Sequence, residues 1–205
     1  LTQLTHFIAQ SCTDLERCYH QMVIADVRFA QAQFALKTDS QLFEFSDDEF
    51  FLKEVRHPLL SFQNLKTVVT NNVHFEVPKR ILILSGPNAG GKTVLLKAIG
   101  LTCHMARCGL LVPCSKESKI PFFKNLFVTI GDTQSVGEHM STFAAHLKTL
   151  TQALDATGRN QLILVDEICG STDPEEGAAI AQSFIENYAE NDVYGIITSH
   201  LGPLK

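Results

Sequence analysis

The residues that most clearly predict chemistry lie between positions 81 and 93. An apolar run leads into a glycine-rich segment in which Gly86, Gly91, Lys92 and Thr93 satisfy the spacing G-x-x-x-x-G-K-[ST]. Glycines permit a tight bend in which backbone N–H groups point at phosphate oxygens, while Lys92 adds a positive charge and Thr93 a hydroxyl for Mg²⁺. The pattern predicts a phosphate-binding loop between a strand and a helix over about residues 92–107. A glycine-rich turn without a ligand is the alternative.

Two carboxylates follow a second apolar run, about 70 residues further along the chain. The run at positions 162–165 is followed directly by Asp166 and Glu167. Continuous apolar runs are typical of buried parallel strands, and ligands bind outside the carboxyl ends of such strands. We therefore predict that Asp166 holds Mg²⁺ through water and that Glu167 lies near a γ-phosphate and polarises the attacking water. A pair of acids in a surface turn is the alternative.

Two other polar residues lie where they could contact the same ligand. Ser141 opens a predicted helix, where capping would explain it, although the free N–H groups of a helix start can also bind an anion. Such an end could serve the nucleotide of a neighbouring molecule. His200 follows a predicted strand at 194–199, and is either incidental there or within reach of a γ-phosphate.

The segment before the phosphate loop predicts a small sheet. Residues 55–77 show the β-branched alternation of short strands. A sheet in this place could form a wall against a nucleotide base, so Val68 and Val69 could cover an adenine. They could equally be strand residues that face the core.

The N-terminal segment predicts a long helical arm. Residues 1–57 contain neither Gly nor Pro, and apolar or small residues recur at spacings of three and four from Leu1 to Leu36. A helix over 1–37 would be about 55 Å long. We interpret residues 1–40 as an arm packed against another helix and residues 41–205 as an α/β domain. A self-contained coiled-coil dimer is the alternative for the arm.

The composition favours some classes of protein over others. A net charge of −5 gives no sign of a nucleic-acid-binding surface. The six cysteines lack the C-x-x-C spacing of zinc sites, so we expect reduced, buried residues of a cytoplasmic protein. No apolar run approaches 18 residues, so we expect no membrane span. Because the chain begins at Leu1 rather than Met, we interpret it as a fragment.

Several motifs, in this order, resemble the ATPase domain of the MutS family, and specifically its bacterial MutS-two branch. The wordings Ile-Gly-Asp-x-Gln-Ser and Thr-Asp-Pro-x-Glu-Gly-Ala-Ala favour that branch over mismatch-repair MutS. The resemblance covers about residues 15–205 and includes the end of a lever helix at 25–30. The motifs that carry it are Arg56-His57-Pro58-Leu59-Leu60, the loop 86–94, Ile130-Gly131-Asp132-Thr133-Gln134-Ser135, Ser141-Thr142-Phe143, Asp166-Glu167, the run 172–179 and Thr198-Ser199-His200.

The resemblance implies a P-loop NTPase of ABC type, with a central, mostly parallel sheet flanked by helices and preceded by a long lever-helix segment. It implies binding of ATP or ADP with Mg²⁺, with Thr93 and Asp166 at the metal and with Glu167, Lys92, His200 and Ser141 in catalysis. The residues implied to bind the nucleotide are Gly86, Pro87, Asn88, Ala89, Gly90, Gly91, Lys92, Thr93, Val94, Val68 and Val69.

The resemblance also implies partners and a biological role. In that family Ser141 of one subunit would reach the γ-phosphate held by the other subunit of a homodimer, and Asp173 would lie at the interface. ATP hydrolysis would drive a clamp on branched or mismatched DNA that suppresses homologous recombination. The alternatives within the family are a mismatch-repair ATPase and an ATPase that splits stalled ribosomes. DNA contacts, and any Smr nuclease module, would lie outside these residues.

One motif departs from the family's pattern, and one competing class lacks its signature. Cys169-Gly170-Ser171 stands where the MutS-two branch has small Gly and Ala residues. Transporter-type ABC ATPases carry a Leu-Ser-Gly-Gly-Gln signature, which this sequence does not contain. Ser141-Thr142 stands in its place.

Overall fold

The structure of the chain is a computed structural model. The residues described are 2–76, 78–86, 90–130, 139–156, 160–170 and 173–200. For residues 139–143 and 145 only the backbone is described. Predictions that concern Pro87, Asn88, Ala89, the run 131–138 and the side chain of Ser141 therefore lie outside the description.

The N-terminal arm consists of two helices, α1 (Thr2–Gln10) and α2 (Cys12–Thr38). The prediction of one unbroken helix is therefore wrong at Ser11, whose N–H donates to the carbonyl of Ile8 in a tighter turn. Every residue of α2 before Phe34 is exposed. The predicted seam thus faces solvent, and among the residues described α2 packs on the rest of the chain at its C-terminal end.

That anchor is aromatic. The Phe34 ring stacks on Phe62 with centroids 5.5 Å apart, and the ammonium of Lys37 lies 3.7 Å from the centre of the same Phe62 ring. Asp39 then ends the helix in a left-handed conformation with φ of 50°. The chain turns there into the α/β domain.

A small mixed sheet precedes and flanks the phosphate loop. Its strands lie in the order β1-β5-β2-β3, with β2 and β3 antiparallel and Leu52 opposite Val73. The predicted strands over 55–77 are wrong for residues 58–67, which form helix α3 and a short 3₁₀ turn. Pro58 occupies the first turn of α3, where its fixed φ favours a helix. The strands are β1 (Glu44–Phe45), β2 (Phe50–Val55), β3 (Asn71–Phe75) and β5 (Lys119–Ile120); the helical pieces are α3 (Pro58–Asn64) and Leu65–Thr67.

The main sheet is parallel throughout the described residues, as predicted. Its strands lie in the order β4-β8-β7-β6. Ser85 is opposite Ser199, and Val165 is opposite Ile197. The carboxyl ends of β4 and β8 therefore lie opposite each other, and β7 ends two residues earlier at the same edge of the sheet. The strands are β4 (Ile81–Ser85), β6 (Asn125–Thr129), β7 (Gln161–Val165) and β8 (Tyr194–Ser199).

Helices cover both faces of this sheet. Leu162 and Leu164 pack into a core with α4 (Lys92–Arg107) and the small sheet. Ile163 and Val165 pack into a second core with α5 (His139–Asp155) and α6 (Pro174–Glu190). Because successive side chains of a strand point to opposite faces, a strand buried on both faces requires an unbroken apolar run. That requirement explains the run at 162–165.

The approach between α4 and the sheet depends on a glycine. A Cβ placed on Gly100 would lie 2.5 Å from Cδ1 of Leu164. A larger residue at this position would require the Leu164 side chain, or α4 itself, to shift. Gly100 therefore leaves room for the Leu164 side chain between α4 and β7.

Helix boundaries agree with the predictions for α4 and nearly for α6. Helix α5 begins at His139, so Ser141 lies within its first turn and the prediction that Ser141 opens the helix is wrong by two residues. Asp173 caps α6, since its carboxylate accepts from the N–H groups of Glu175 at 2.9 Å and Glu176 at 3.3 Å. The α6 cap is thus a side chain that the resemblance had placed at an interface.

The cysteines are all free thiols, and the prediction that they are buried holds for only half of them. Cys103, Cys114 and Cys169 are buried, and burial raises the pKa of each thiol above its ordinary value. The other three are exposed, namely Cys12, Cys18 and Cys108. Of the helices described, none has both the length and the apolar character needed to cross a membrane.

The Tyr188 hydroxyl provides a test of the second core. It is fully buried and donates to the carbonyl of Leu150 at 2.8 Å, which ties α6 to α5. We expect Tyr188→Phe to lower the free energy of unfolding by about 1 kcal/mol, because a buried hydrogen bond is lost. Chemical denaturation measures this, with Tyr19→Phe on the exposed face of α2 as the control. Equal stability of the two variants would contradict the role given to this bond.

Candidate functional site

The carboxyl ends of β4, β7 and β8 bring predicted polar residues to one edge of the main sheet. Lys92 and Thr93 begin α4 directly after the phosphate loop, Asp166 and Glu167 follow β7, and His200 follows β8. Strand β8 lies between β4 and β7. The site is therefore assembled from segments that are far apart in the sequence.

A hydrogen bond joins the phosphate loop to the acidic strand end. The Thr93 hydroxyl donates to Oδ2 of Asp166 at 2.8 Å. The other oxygen, Oδ1, accepts from the hydroxyl of Thr198 at 2.7 Å. Both oxygens of Asp166 are thus held, which fixes the plane of the carboxylate.

Thr198 is a residue that the sequence analysis quoted but did not assign. Its side chain is fully buried, and its Oγ1 also accepts the backbone N–H of Glu167 at 2.8 Å. The available signal was its place two residues before His200, at the end of a strand beside β7. Sequence alone does not reveal that its hydroxyl points at Asp166.

The donor set fits Mg²⁺. Mg²⁺ takes oxygen ligands and is usually bound through one or two protein groups together with substrate phosphates and water. The Thr93 hydroxyl and the Asp166 carboxylate lie side by side and provide such groups. Across the described residues there is no cluster of three His, Cys, Asp or Glu side chains that could hold a metal alone. When bound, Mg²⁺ would neutralise charge on phosphate oxygens.

The described part of the phosphate loop has the backbone that glycine favours. Gly91 has φ of 78° and immediately precedes α4, where residues with side chains are strained. The ammonium of Lys92 donates across the loop to the carbonyl of Gly86. The Lys92 charge is thereby held at the mouth of the loop.

A cavity of about 550 Å³ opens beside this loop. Its volume lies in the range of small-molecule and cofactor sites. The structure places Val68 and Val69 on its wall, in a connection between the 3₁₀ turn and β3 rather than in a strand. Val69 is 76% exposed, so the alternative that it faces the core is wrong. Other lining residues include His57, Leu60, Asn71, Gly90, Gly91, Lys92 and Val94.

His57 lines the cavity in an uncharged state. It precedes α3, and its Nδ1 is buried without a hydrogen-bond partner among the residues described. Burial, and secondly the positive charge of Lys97, lower the pKa of His57 below its ordinary value. The wall therefore presents a neutral imidazole at neutral pH.

Glu167 and His200 form a pair at the rim of the site. Oε1 of Glu167 lies 2.9 Å from Nε2 of His200, and both side chains are about half exposed. Glu167 has φ of 55°, a left-handed conformation that is uncommon for a residue with a side chain. The structure thus places His200 against the Glu167 carboxylate.

His146, which the sequence analysis did not single out, lies behind the acidic strand end. Nδ1 of His146 is 3.2 Å from the Thr129 hydroxyl, and the Thr129 carbonyl accepts the N–H of Asp166 at 2.9 Å. Burial lowers the pKa of His146 below its ordinary value. His146 is therefore a neutral contact of the strand that supports Asp166.

A glycine-rich loop leads into helix α4, and the Thr93 hydroxyl of that helix is hydrogen-bonded to the Asp166 carboxylate at the end of a parallel strand. This arrangement defines an α/β domain of the P-loop nucleotide-binding class. Comparison with known families agrees. Residues 82–205 match the profile described as MutS domain V. The chain belongs to the MutS family, in which domain V is the ATPase domain.

Similar proteins are the bacterial proteins named Endonuclease MutS2. The one from Caldicellulosiruptor saccharolyticus is 34% identical over 206 residues, which cover 100% of this chain and 26% of that protein. The one from Staphylococcus haemolyticus is 37% identical over 207 residues, which cover 100% of this chain and 26% of that protein. The one from Clostridium novyi is 39% identical over 181 residues, which cover 88% of this chain and 23% of that protein. The chain spans about a quarter of the length of these relatives. The predicted resemblance to the MutS-two branch is confirmed.

The lowered pKa values of His57 and His146 predict how the stability of the fold changes with pH. Each has a lowered pKa in the fold, so the unfolded chain binds more protons as the pH falls through the ordinary value of 6.5. We expect the free energy of unfolding to be highest above that value and to fall below it. His146→Gln should make this fall shallower, whereas His104→Gln on the exposed side of α4 should not. Denaturation curves across this range measure the slope, and identical slopes in all three proteins would refute the assignment.

Proposed function

We propose that this domain binds ATP with Mg²⁺ and hydrolyses it. The observation that carries the proposal is the hydrogen bond between Thr93 and Asp166, which unites a phosphate loop and an acidic strand end. The cavity bordered by Val68 and Val69 adjoins that loop and has the volume that a base and ribose need. Adenine would rest against these valines, and the phosphates would extend to the start of α4.

The chemistry follows from charge and position. Lys92 and the N–H groups at the start of α4 stabilise the negative charge of the terminal phosphates. Glu167, which directly follows Asp166 and is about half exposed, would orient and polarise the attacking water. His200 lies 2.9 Å from Glu167 and would contact the γ-phosphate as well.

We propose that two copies close on the nucleotide, as in ABC-type ATPases. The start of α5 lies within one turn of Ser141, and helix N-termini attract anions. Ser141 of one subunit would complete the γ-phosphate site of the other, and Asp173 would lie near the same interface. Closure then depends on ATP, since ATP would contact both chains and ADP would not.

The role in the longer protein is also a proposal. Movement at the dimer interface would pass through α2, whose only described packing is at its end beside α3. It would act on a DNA clamp outside these residues and so suppress homologous recombination. The net charge of −5 is consistent with DNA contacts elsewhere. Binding of the longer protein to branched DNA rather than to single mismatches would support this role over mismatch repair, and co-sedimentation with ribosomes would support the translational one.

Lys92→Ala tests nucleotide binding. We expect ATP affinity to fall on the order of 10- to 100-fold, because a charged hydrogen-bond donor to phosphate is removed. Titration with a fluorescent ATP analogue measures the affinity, and light scattering with and without ATP measures closure, which should be abolished. Arg107→Ala, which removes an exposed positive charge at the other end of the same helix, is the control. Unchanged affinity in the Lys92 variant would refute the proposed site.

Glu167→Ala tests hydrolysis. We expect phosphate release to fall by about 10²- to 10⁴-fold while ATP stays bound and the dimer becomes more stable, since the group that polarises water is absent. Phosphate release and light scattering measure the two effects. Glu190→Ala, at the exposed end of α6, should hydrolyse ATP normally. Ordinary turnover in the Glu167 variant would reject the assigned role.

A further inference from the structure

One buried hydroxyl links the two acidic residues of the site. Oγ1 of Thr198 donates to Oδ1 of Asp166 at 2.7 Å and accepts the N–H of Glu167 at 2.8 Å. A hydroxyl has a single proton to donate, and here that proton is directed at the carboxylate. The same oxygen therefore orients a side chain and the backbone of the next residue.

The backbone of Thr198 adds a third contact. Its carbonyl accepts the N–H of Ile168 at 3.1 Å. Thr198 thus holds the backbone on both sides of Glu167, which has the left-handed φ of 55°. Such a conformation persists in a residue with a side chain only where the surroundings enforce it. The contacts to Thr198 provide that enforcement.

Asp166 is held by two hydroxyls from opposite sides. Thr93 bonds Oδ2 from the start of α4, and Thr198 bonds Oδ1 from β8. The Thr93 hydroxyl is itself a proposed metal ligand, whereas Thr198 is fully buried and lies behind the carboxylate. Of the two, Thr198 is the one that can act on the metal only through Asp166.

We infer that Thr198 is a positioning residue, which fixes the Asp166 carboxylate for Mg²⁺ and the Glu167 turn for the attacking water. The inference rests on the proposed ATPase function. Groups that orient metal ligands typically contribute 10- to 100-fold to metal affinity or activity. Valine has nearly the shape of threonine but lacks the hydroxyl, so Thr198→Val removes these two side-chain bonds and leaves the packing.

The test compares nucleotide binding with and without the metal. We expect Thr198→Val to raise the Mg²⁺ concentration that gives half-maximal binding of a fluorescent ATP analogue by about 10- to 100-fold. Binding in EDTA should be unchanged, because the phosphate loop is intact. Thr198→Ser, which keeps the hydroxyl, should restore the Mg²⁺ dependence. If Thr198→Val does not fold, Thr198→Cys, which keeps a side chain of similar size but has only a weak hydrogen-bond donor, gives the comparison.

Thr102→Val is the matched control. Thr102 is also fully buried, and its hydroxyl has no hydrogen-bond partner among the described residues. A normal Mg²⁺ dependence in Thr198→Val, an equal loss of binding in EDTA, or failure of serine to restore it would each overturn the inference. If the unaltered chain binds no nucleotide in either condition, the proposed function itself fails.

Discussion

The hydrogen bond between Thr93 and Asp166 is the contact on which the rest of the site depends. It spans 2.8 Å in space and 73 positions in sequence. It forms because β4 and β7 are separated only by β8 and because their carboxyl ends lie at the same edge of the sheet. The parallel sheet provides that alignment, and the two apolar cores hold the sheet between its helices. A local polar contact is thus supported by the packing of the whole domain.

The alignment also explains why β8 is central to the site. As the strand between β4 and β7, it places the Thr198 side chain behind Asp166 and delivers His200 next to Glu167. Burial on both sides leaves β8 little freedom to shift. The polar groups at its end are therefore positioned by apolar contacts further back in the strand.

The sequence predicted the parts of this domain that follow from strong local patterns. The apolar run before Asp166 predicted β7, and the glycine-rich spacing predicted the loop and the start of α4. These patterns are informative because burial on two faces and a tight turn each restrict the residue types that fit. For residues such as Val68 and His200, whose local sequence left alternatives open, the family resemblance favoured the functional interpretation.

The rest required the three-dimensional fold. Residues 58–67 form a helix where alternation suggested strands, because Pro58 starts α3 and tertiary contacts at Phe62 override β-propensity. The role of Thr198 depends on partners 31 and 32 residues away in the chain, and the lowered pKa of His146 depends on its burial. No spacing rule identifies such partners.

The wall of the cavity and the phosphate loop come from separate stretches of the chain. Val68 and Val69 precede the segment that matches MutS domain V, whereas Lys92, Thr93 and Asp166 lie inside it. Under the proposed function, part of the wall that contacts the base is therefore separate in sequence from the groups that contact the phosphates. An engineer could exchange the 68–69 connection to admit a different purine while the machinery that cleaves the triphosphate stayed intact.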